Sequence, residues 1–153
     1  MTAEARLAEL GIELPPVAQP VASYVPVVLC DSLAFLSGQI PLSEGKLLVA
    51  GKLGAELDLE AGVAAARRCG LQAMAALRFA LGSLDRVRRI VKVSVFVASA
   101  EGFVDQPKVA NGASDLFLQV FGEAGRHART SVGVPELPLG APVEVEVIAE
   151  IGP

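Results

Sequence analysis

The sequence has few of the residues that build disulfide, metal and nucleic-acid sites. Its two cysteines, Cys30 and Cys69, show no CxxC spacing and His127 is the only histidine, so neither a disulfide framework nor a zinc site is expected. One Tyr, six Phe and no Trp leave few aromatic rings on which bases could stack. The net charge of -4 gives no electrostatic reason to expect nucleic acid as the main partner. These absences favour a protein of a reducing compartment that does not depend on a polyanion.

Membrane-spanning segments are also missing from the sequence. No apolar stretch reaches the roughly 20 residues that cross a bilayer, because Arg, Lys and Gly interrupt every candidate. The first residues carry acidic side chains at helical spacing, rather than a basic head, an apolar run and a cleavage site. We therefore expect a cytoplasmic protein with no membrane partner.

The length and the apolar content indicate one domain with a buried contact surface. A chain of 153 residues fits a single domain, residues 1–153. Apolar residues make up 52% of the chain and charged residues 20%, which is a high apolar content for a small domain whose surface must carry most of the charge. We therefore expect part of its surface to be buried between subunits. A short helix that ends at Gly11 and the prolines after it predict an N-terminal arm over residues 1–20.

The hydrophobic pattern predicts an α+β fold with two helices on one face of a mixed sheet. Asp58 and Gly82 are the cap and stop of the first long helix, and Pro107 lies in the first turn of the second. In the strand 89–97, Val91, Val93, Val95 and Val97 are expected to share the core face. The predicted elements are a hairpin (24–29 and 33–37), a weak third strand (46–49), a helix (59–81), a strand (89–97), a helix (106–121) and two strands (129–134 and 143–151).

Two charged residues in the last strands are the candidate catalytic pair. Arg129 opens an apolar strand, and Glu144 lies in an alternating strand whose carboxylates point away from its valines. On neighbouring strands, a fixed cation could hold an anionic substrate while the carboxylate activates a water. The alternative is that Arg129 and Glu144 only form an ion pair between subunits.

Several segments together resemble the Rid family, the reactive intermediate deaminases, also called YjgF or L-PSP. The resemblance covers about residues 20–151, and its terminal segment is the most specific part. It rests on Tyr24, SGQIP at 37–41, IVKVSVFV at 90–97, Phe103, Asn111, and ARTSVGV, LP and VEVEVIAEI at the end. The resemblance implies the chorismate-mutase-like fold, assembled as a homotrimeric barrel with three clefts between subunits.

The same resemblance implies an activity, which is hydrolysis of 2-imino or 2-enamino acids such as 2-aminoacrylate to 2-keto acids and ammonia. Arg129 matches the arginine that grips the substrate carboxylate, and Glu144 matches the glutamate that activates water. Gly38 would offer its backbone near the reacting group, while Tyr24 and Asn111 match pocket-lining residues. No metal and no organic cofactor is implied.

Four features depart from the family pattern and resemble a longer branch of the family whose substrate is less certain. Ser131 stands where many members have cysteine, and the stretch from Phe103 to Asn111 is longer than in compact members. The N-terminal arm and the loop GEAGRHA are additions, and they could cover the cleft mouth and place Arg126 and His127 near the ligand. Two other functions stay open. An L-PSP-type endoribonuclease is one alternative, although the acidic charge and single histidine argue against it. A non-catalytic module that binds small carboxylates is the other.

Overall fold

A computed structural model describes residues 1–17, 19 and 22–153 of the chain. The end of the predicted arm, at Ala18 and Pro20, lies outside the described residues, as does Val21. The elements are α1 (Ala3–Leu10), β1 (Val27–Cys30), β2 (Leu33–Leu36), β3 (Leu42–Ser43), β4 (Lys46–Leu47), α2 (Leu59–Leu81), β5 (Val87–Ala98), α3 (Gln106–Phe121), β6 (Ala128–Val134) and β7 (Val143–Ile151).

The main sheet has five strands in the order β1-β2-β7-β5-β6. The β5–β6 pair is parallel and the other pairs are antiparallel, which confirms a mixed sheet. The predicted third strand exists only as β4, which pairs with β3 in a separate two-stranded sheet. Because β5 lies between β6 and β7, the strands that carry Arg129 and Glu144 are not neighbours, and that prediction is wrong.

The two long helices begin and end where the sequence predicts. Asp58 Oδ1 accepts a hydrogen bond from the Ala61 amide at 2.8 Å, and Gly82 ends α2 with a left-handed φ of 81°. α3 packs closely along α2 because Gly112 has no side chain, and a Cβ atom there would overlap the Val63 carbonyl oxygen. A glycine in the middle of α3 therefore serves helix packing, at the expense of helix propensity.

The core lies between this helix pair and one face of the sheet. Val93, Val95 and Val97 on β5 are fully buried there, as predicted. Val91 is 37% exposed and Ile90 is buried instead, so the prediction for Val91 is wrong. The register of β5 against β7 shifts between Ile90 and Lys92, and this irregularity reverses the alternation of side chains on its N-terminal side.

The opposite face of the sheet carries apolar side chains that no element of the described chain covers. Val28 is 53% exposed, Phe35 is 41% exposed and Val132 is 40% exposed. Val28 and Phe35 are cross-strand partners, and Val132 pairs with Phe96 on β5. We call this surface, which includes Glu144 near the start of the central strand β7, the outer face.

The N-terminal helix packs onto the helical layer. Ala3 and Leu7 of α1 are buried in the core cluster, and the Glu4 carboxylate accepts from the Leu84 amide at 3.0 Å. Glu4 also pairs with Arg78 of α2 at 3.2 Å. Among the described helices, none is both long and apolar enough to cross a bilayer.

Candidate functional site

Arg129 lies on the helix side of the sheet, where α3 fixes its guanidinium. Its Nη1 donates to Asn111 Oδ1 at 2.8 Å and to Ser114 Oγ at 3.1 Å. Asn111 and Ser114 are one helical turn apart on α3, so they present both acceptors on the same side of the helix. Within the described chain, Nε and Nη2 of Arg129 form no hydrogen bond, which leaves one edge of the guanidinium available to a carboxylate.

His127 is connected to Arg129 through Ser114. Its Nε2 lies 2.9 Å from Ser114 Oγ, and its Nδ1 lies 2.6 Å from the Gly125 carbonyl oxygen. Because a carbonyl can only accept, Nδ1 carries a proton. Burial lowers the pKa of the imidazole, the bond to Gly125 opposes that effect, and the charge of Arg129 lowers it further. The imidazole is therefore neutral at physiological pH, with Nε2 as an acceptor.

A hollow of about 260 Å³ opens beside these residues. It is lined by Arg129, His127, Ser114 and Arg126, together with Asp115, Leu118 and Gly125. Arg126 points into solvent and pairs with Glu123 at 3.0 Å, so part of its charge is neutralised. The structure thus brings together His127, Asn111 and Arg129, three of the candidate site residues, and places Ser114 between His127 and Arg129.

Glu144 lies on the outer face against the backbone of Gly38. A Cβ atom at Gly38 would overlap Glu144 Oε1 and lie 2.9 Å from its Cδ, so only glycine admits the carboxylate at this position. Gln39 and Val145 exchange backbone hydrogen bonds at 2.8 and 3.0 Å, which holds the two segments together. Burial raises the pKa of Glu144, and the charge of Glu146 raises it further. A carboxylate with a raised pKa is a stronger base for taking a proton from water.

Tyr24 lies at the same end of the hairpin as Gly38. The Ser37 amide donates to the Pro26 carbonyl, and Ser37 Oγ donates to the Val25 carbonyl at 2.6 Å. The segment before β1 therefore lies alongside the segment after β2. Tyr24 is 56% exposed. Its ring is therefore open to solvent or to another molecule near Glu144.

The loop that carries Gly38 is anchored by a residue that sequence reasoning missed. Gln72 of α2 is 5% exposed, donates to the Ile40 carbonyl at 2.9 Å and accepts from the Leu42 amide at 2.8 Å. The available signal was a polar residue on the apolar side of α2. Ser114 was missed as well. The sequence signal for it was its spacing of three residues from Asn111, which places both residues on one side of a helix.

Arg129 and Glu144 point to opposite sides of the sheet. Arg129 pairs with Val93 on β5, and Glu144 pairs with Phe96. Paired residues share a face and successive residues alternate, so Arg129 lies under the helices with Val93, and Glu144 lies on the outer face with Phe96. Ser131, which pairs with Val95, is on the side of Arg129. One chain therefore contains two separate half-sites, and in the described part no three His, Cys, Asp or Glu side chains group as metal ligands.

Comparison with known proteins places the chain in a family. Residues 4–151 match the model of the family described as "YjgF/chorismate mutase-like, putative endoribonuclease". Protein TCP17 of Trypanosoma cruzi is 50% identical over 148 residues, which cover 96% of this chain and 92% of that protein. A crystal structure of a protein of unknown function from Agrobacterium tumefaciens is 43% identical, with a TM-score of 0.90 over 98% of this chain and 92% of that one.

A more distant solved structure contains a bound ligand. Escherichia coli TdcF, crystallised with bound serine, is 26% identical, with a TM-score of 0.61 over 90% of this chain and 94% of that one. The matched range includes both half-sites and the terminal strands that resemble the Rid pattern. The chain therefore belongs to the YjgF/chorismate mutase-like family.

Proposed function

We propose that this protein hydrolyses 2-imino and 2-enamino acids, such as 2-aminoacrylate, to 2-keto acids and ammonia at sites shared by two copies of the chain. The observation that carries the proposal is the placement of Arg129 and Glu144 on opposite faces of one sheet. Each half-site has an unfilled side, and a neighbouring copy can supply the missing half to each. The family resemblance supports three such clefts in a homotrimer.

The outer face supports self-association. Val28 and Phe35 on β1 and β2, and Val132 on β6, are about half exposed on the isolated chain and lie on the same face of the sheet as Glu144. Burying apolar side chains such as these contributes about 25 cal/mol per Å² removed from water. A contact between copies at this face would therefore be favourable, and it would also remove water from the Glu144 carboxylate.

Arg129 would bind the substrate carboxylate. Its Nη1 is held by Asn111 and Ser114, so Nε and Nη2 can donate to both oxygens of a carboxylate at once. TdcF with bound serine supports a small amino-acid-like ligand in this family. Tyr24, Gly38 and Ser131 are the further residues that we place around this ligand, with Tyr24 and Gly38 supplied by the copy that contributes Glu144.

Glu144 would activate the water. The 2-enamino acid tautomerises to the 2-imino acid, whose protonated nitrogen makes the adjacent carbon electrophilic. Glu144 takes one proton from water as the oxygen bonds to that carbon, which gives a carbinolamine. Glu144 then gives that proton to the nitrogen, and the carbinolamine hydroxyl returns its own proton to the same carboxylate. The C–N bond breaks, ammonia leaves and the C=O bond of the keto acid forms. General-base help of this kind contributes about 10²- to 10⁴-fold to the rate.

The test measures turnover of 2-aminoacrylate released in situ by a pyridoxal-phosphate lyase, read as pyruvate formed above the spontaneous rate. Glu144→Ala should lower kcat by about 10²-fold or more and retain pyruvate binding, whereas Arg129→Ala should lose both. Glu150→Ala is the matched control, because Glu150 lies on the same strand and the same face as Glu144. Unaltered turnover by Arg129→Ala would refute its role, and RNA cleavage without imine hydrolysis would favour the endoribonuclease alternative.

A further inference from the structure

We propose that His127 is a positioning residue, which fixes the orientation of Arg129 through Ser114 and does not itself contact the substrate. The catalytic part of this inference rests on the proposed function. Three hydrogen bonds connect Arg129 in series to the Gly125 backbone. They join Arg129 Nη1 to Ser114 Oγ at 3.1 Å, Ser114 Oγ to His127 Nε2 at 2.9 Å, and His127 Nδ1 to the Gly125 carbonyl at 2.6 Å.

Chemistry fixes the direction of two of these three hydrogen bonds, and the neutral form of the imidazole sets the third. A guanidinium can only donate, so Ser114 Oγ accepts from Arg129. A carbonyl can only accept, so Nδ1 of His127 donates to Gly125. In the neutral imidazole Nε2 is then an acceptor, and the Ser114 hydroxyl proton points towards it. Ser114 thus accepts from Arg129 on one side and donates to His127 on the other, so its hydroxyl joins the two side chains.

The Gly125 end of this series of hydrogen bonds is anchored in the protein core. A Cβ atom at Gly125 would overlap the Phe117 carbonyl oxygen, so the Gly125 backbone lies directly against α3. The Phe117 side chain is fully buried and meets the His127 ring edge to face, with centroids 6.0 Å apart and planes at 83°. His127 is therefore held by both a hydrogen bond and a ring contact, and it can hold Ser114 in turn.

The result is a guanidinium whose free edge is oriented in advance. Asn111 and Ser114 both engage Nη1, so rotation of the guanidinium would break two hydrogen bonds. A carboxylate that meets a fixed fork loses less conformational entropy on binding than one that meets a mobile side chain. Because Arg129 is still present in such variants and can still align a bound carboxylate, losing only its fixed orientation should raise KM more than it lowers kcat.

Three variants separate positioning from packing. Asparagine at position 127 can replace the Nδ1 donor but leaves Ser114 without an acceptor, whereas glutamine can place an amide oxygen near Nε2. His127→Asn and Ser114→Ala should each raise KM for the imino acid about tenfold with kcat within about threefold, while His127→Gln should stay within about threefold of the parent in both. Parental KM in His127→Asn, or equal defects in His127→Asn and His127→Gln, would overturn the proposal.

A second readout does not depend on the reaction. The Nε–H resonance of Arg129 in ¹⁵N NMR reports whether the guanidinium is fixed, and Arg129→Lys assigns it. We expect this resonance to be sharp in the parent and in His127→Gln, and broadened in His127→Asn and Ser114→Ala. If the parent shows no imine hydrolysis, the proposed function fails. The Nε–H resonance alone then tests whether His127 and Ser114 fix the orientation of Arg129. The same line width in all four proteins would overturn the positioning role of His127 even if the enzyme is active.

Discussion

Gly38→Ala tests the placement of Glu144 most specifically. The added methyl group would overlap Glu144 Oε1 and lie 2.9 Å from Cδ, whereas ordinary van der Waals contact begins at 3.4 Å. All three of the nearest atoms belong to the Glu144 side chain, and the φ angle of Gly38 is open to alanine. The protein should therefore fold normally, with the carboxylate displaced by about 1 Å, a shift that can cost roughly 10²-fold in rate.

The assay is steady-state hydrolysis of 2-aminoacrylate. We expect kcat to fall roughly 100-fold with little change in KM, because Arg129 lies on the other face of the sheet and is untouched. Gly152→Ala is the matched control, since its methyl group meets only the flexible end of Arg88. In the Glu144→Ala background, Gly38→Ala should add no further loss. Parental kcat in Gly38→Ala would refute the view that the position of this carboxylate limits the reaction.

Two further predictions concern the base and the helix packing. Glu146→Gln removes the negative charge that helps to raise the pKa of Glu144, so the acid limb of the kcat/KM pH profile should move to lower pH; a limb that stays in place or moves up would contradict this. Gly112→Ala should destabilise the protein by about 2 kcal/mol in urea unfolding, because overlap with the Val63 carbonyl outweighs the gain of about 1 kcal/mol in helix propensity. A stabilised variant would show that the helices can separate freely.

Local signals in the sequence predict the helices well. Asp58 and Gly82 bound α2 because a cap side chain and a left-handed glycine act within a few residues of the chain. Alternation in β7 likewise assigns Glu144 to the face opposite Val143 and Val145, since this pattern depends only on the strand itself. Such features need no knowledge of which segments meet.

Long-range pairing could not be predicted in the same way. Alternation places Arg129 on one face of β6 and Glu144 on one face of β7, but it does not reveal that β5 lies between them or that their faces are opposite. The irregularity near Val91 is also invisible to a strict two-residue period. The family resemblance indicates the two residues, and the structure supplies the reason why a shared site would need two copies.

That requirement can be measured directly by mixing subunits. Arg129→Ala and Glu144→Ala are each expected to be inactive, but in an oligomer reassembled from equal amounts of both, about a quarter of the shared sites combine an intact Arg129 with an intact Glu144. After denaturation and refolding together, with mixed oligomers verified by native mass spectrometry, we predict about a quarter of the parental activity. Mixed oligomers that remain as inactive as the two single variants would contradict a site built across two chains.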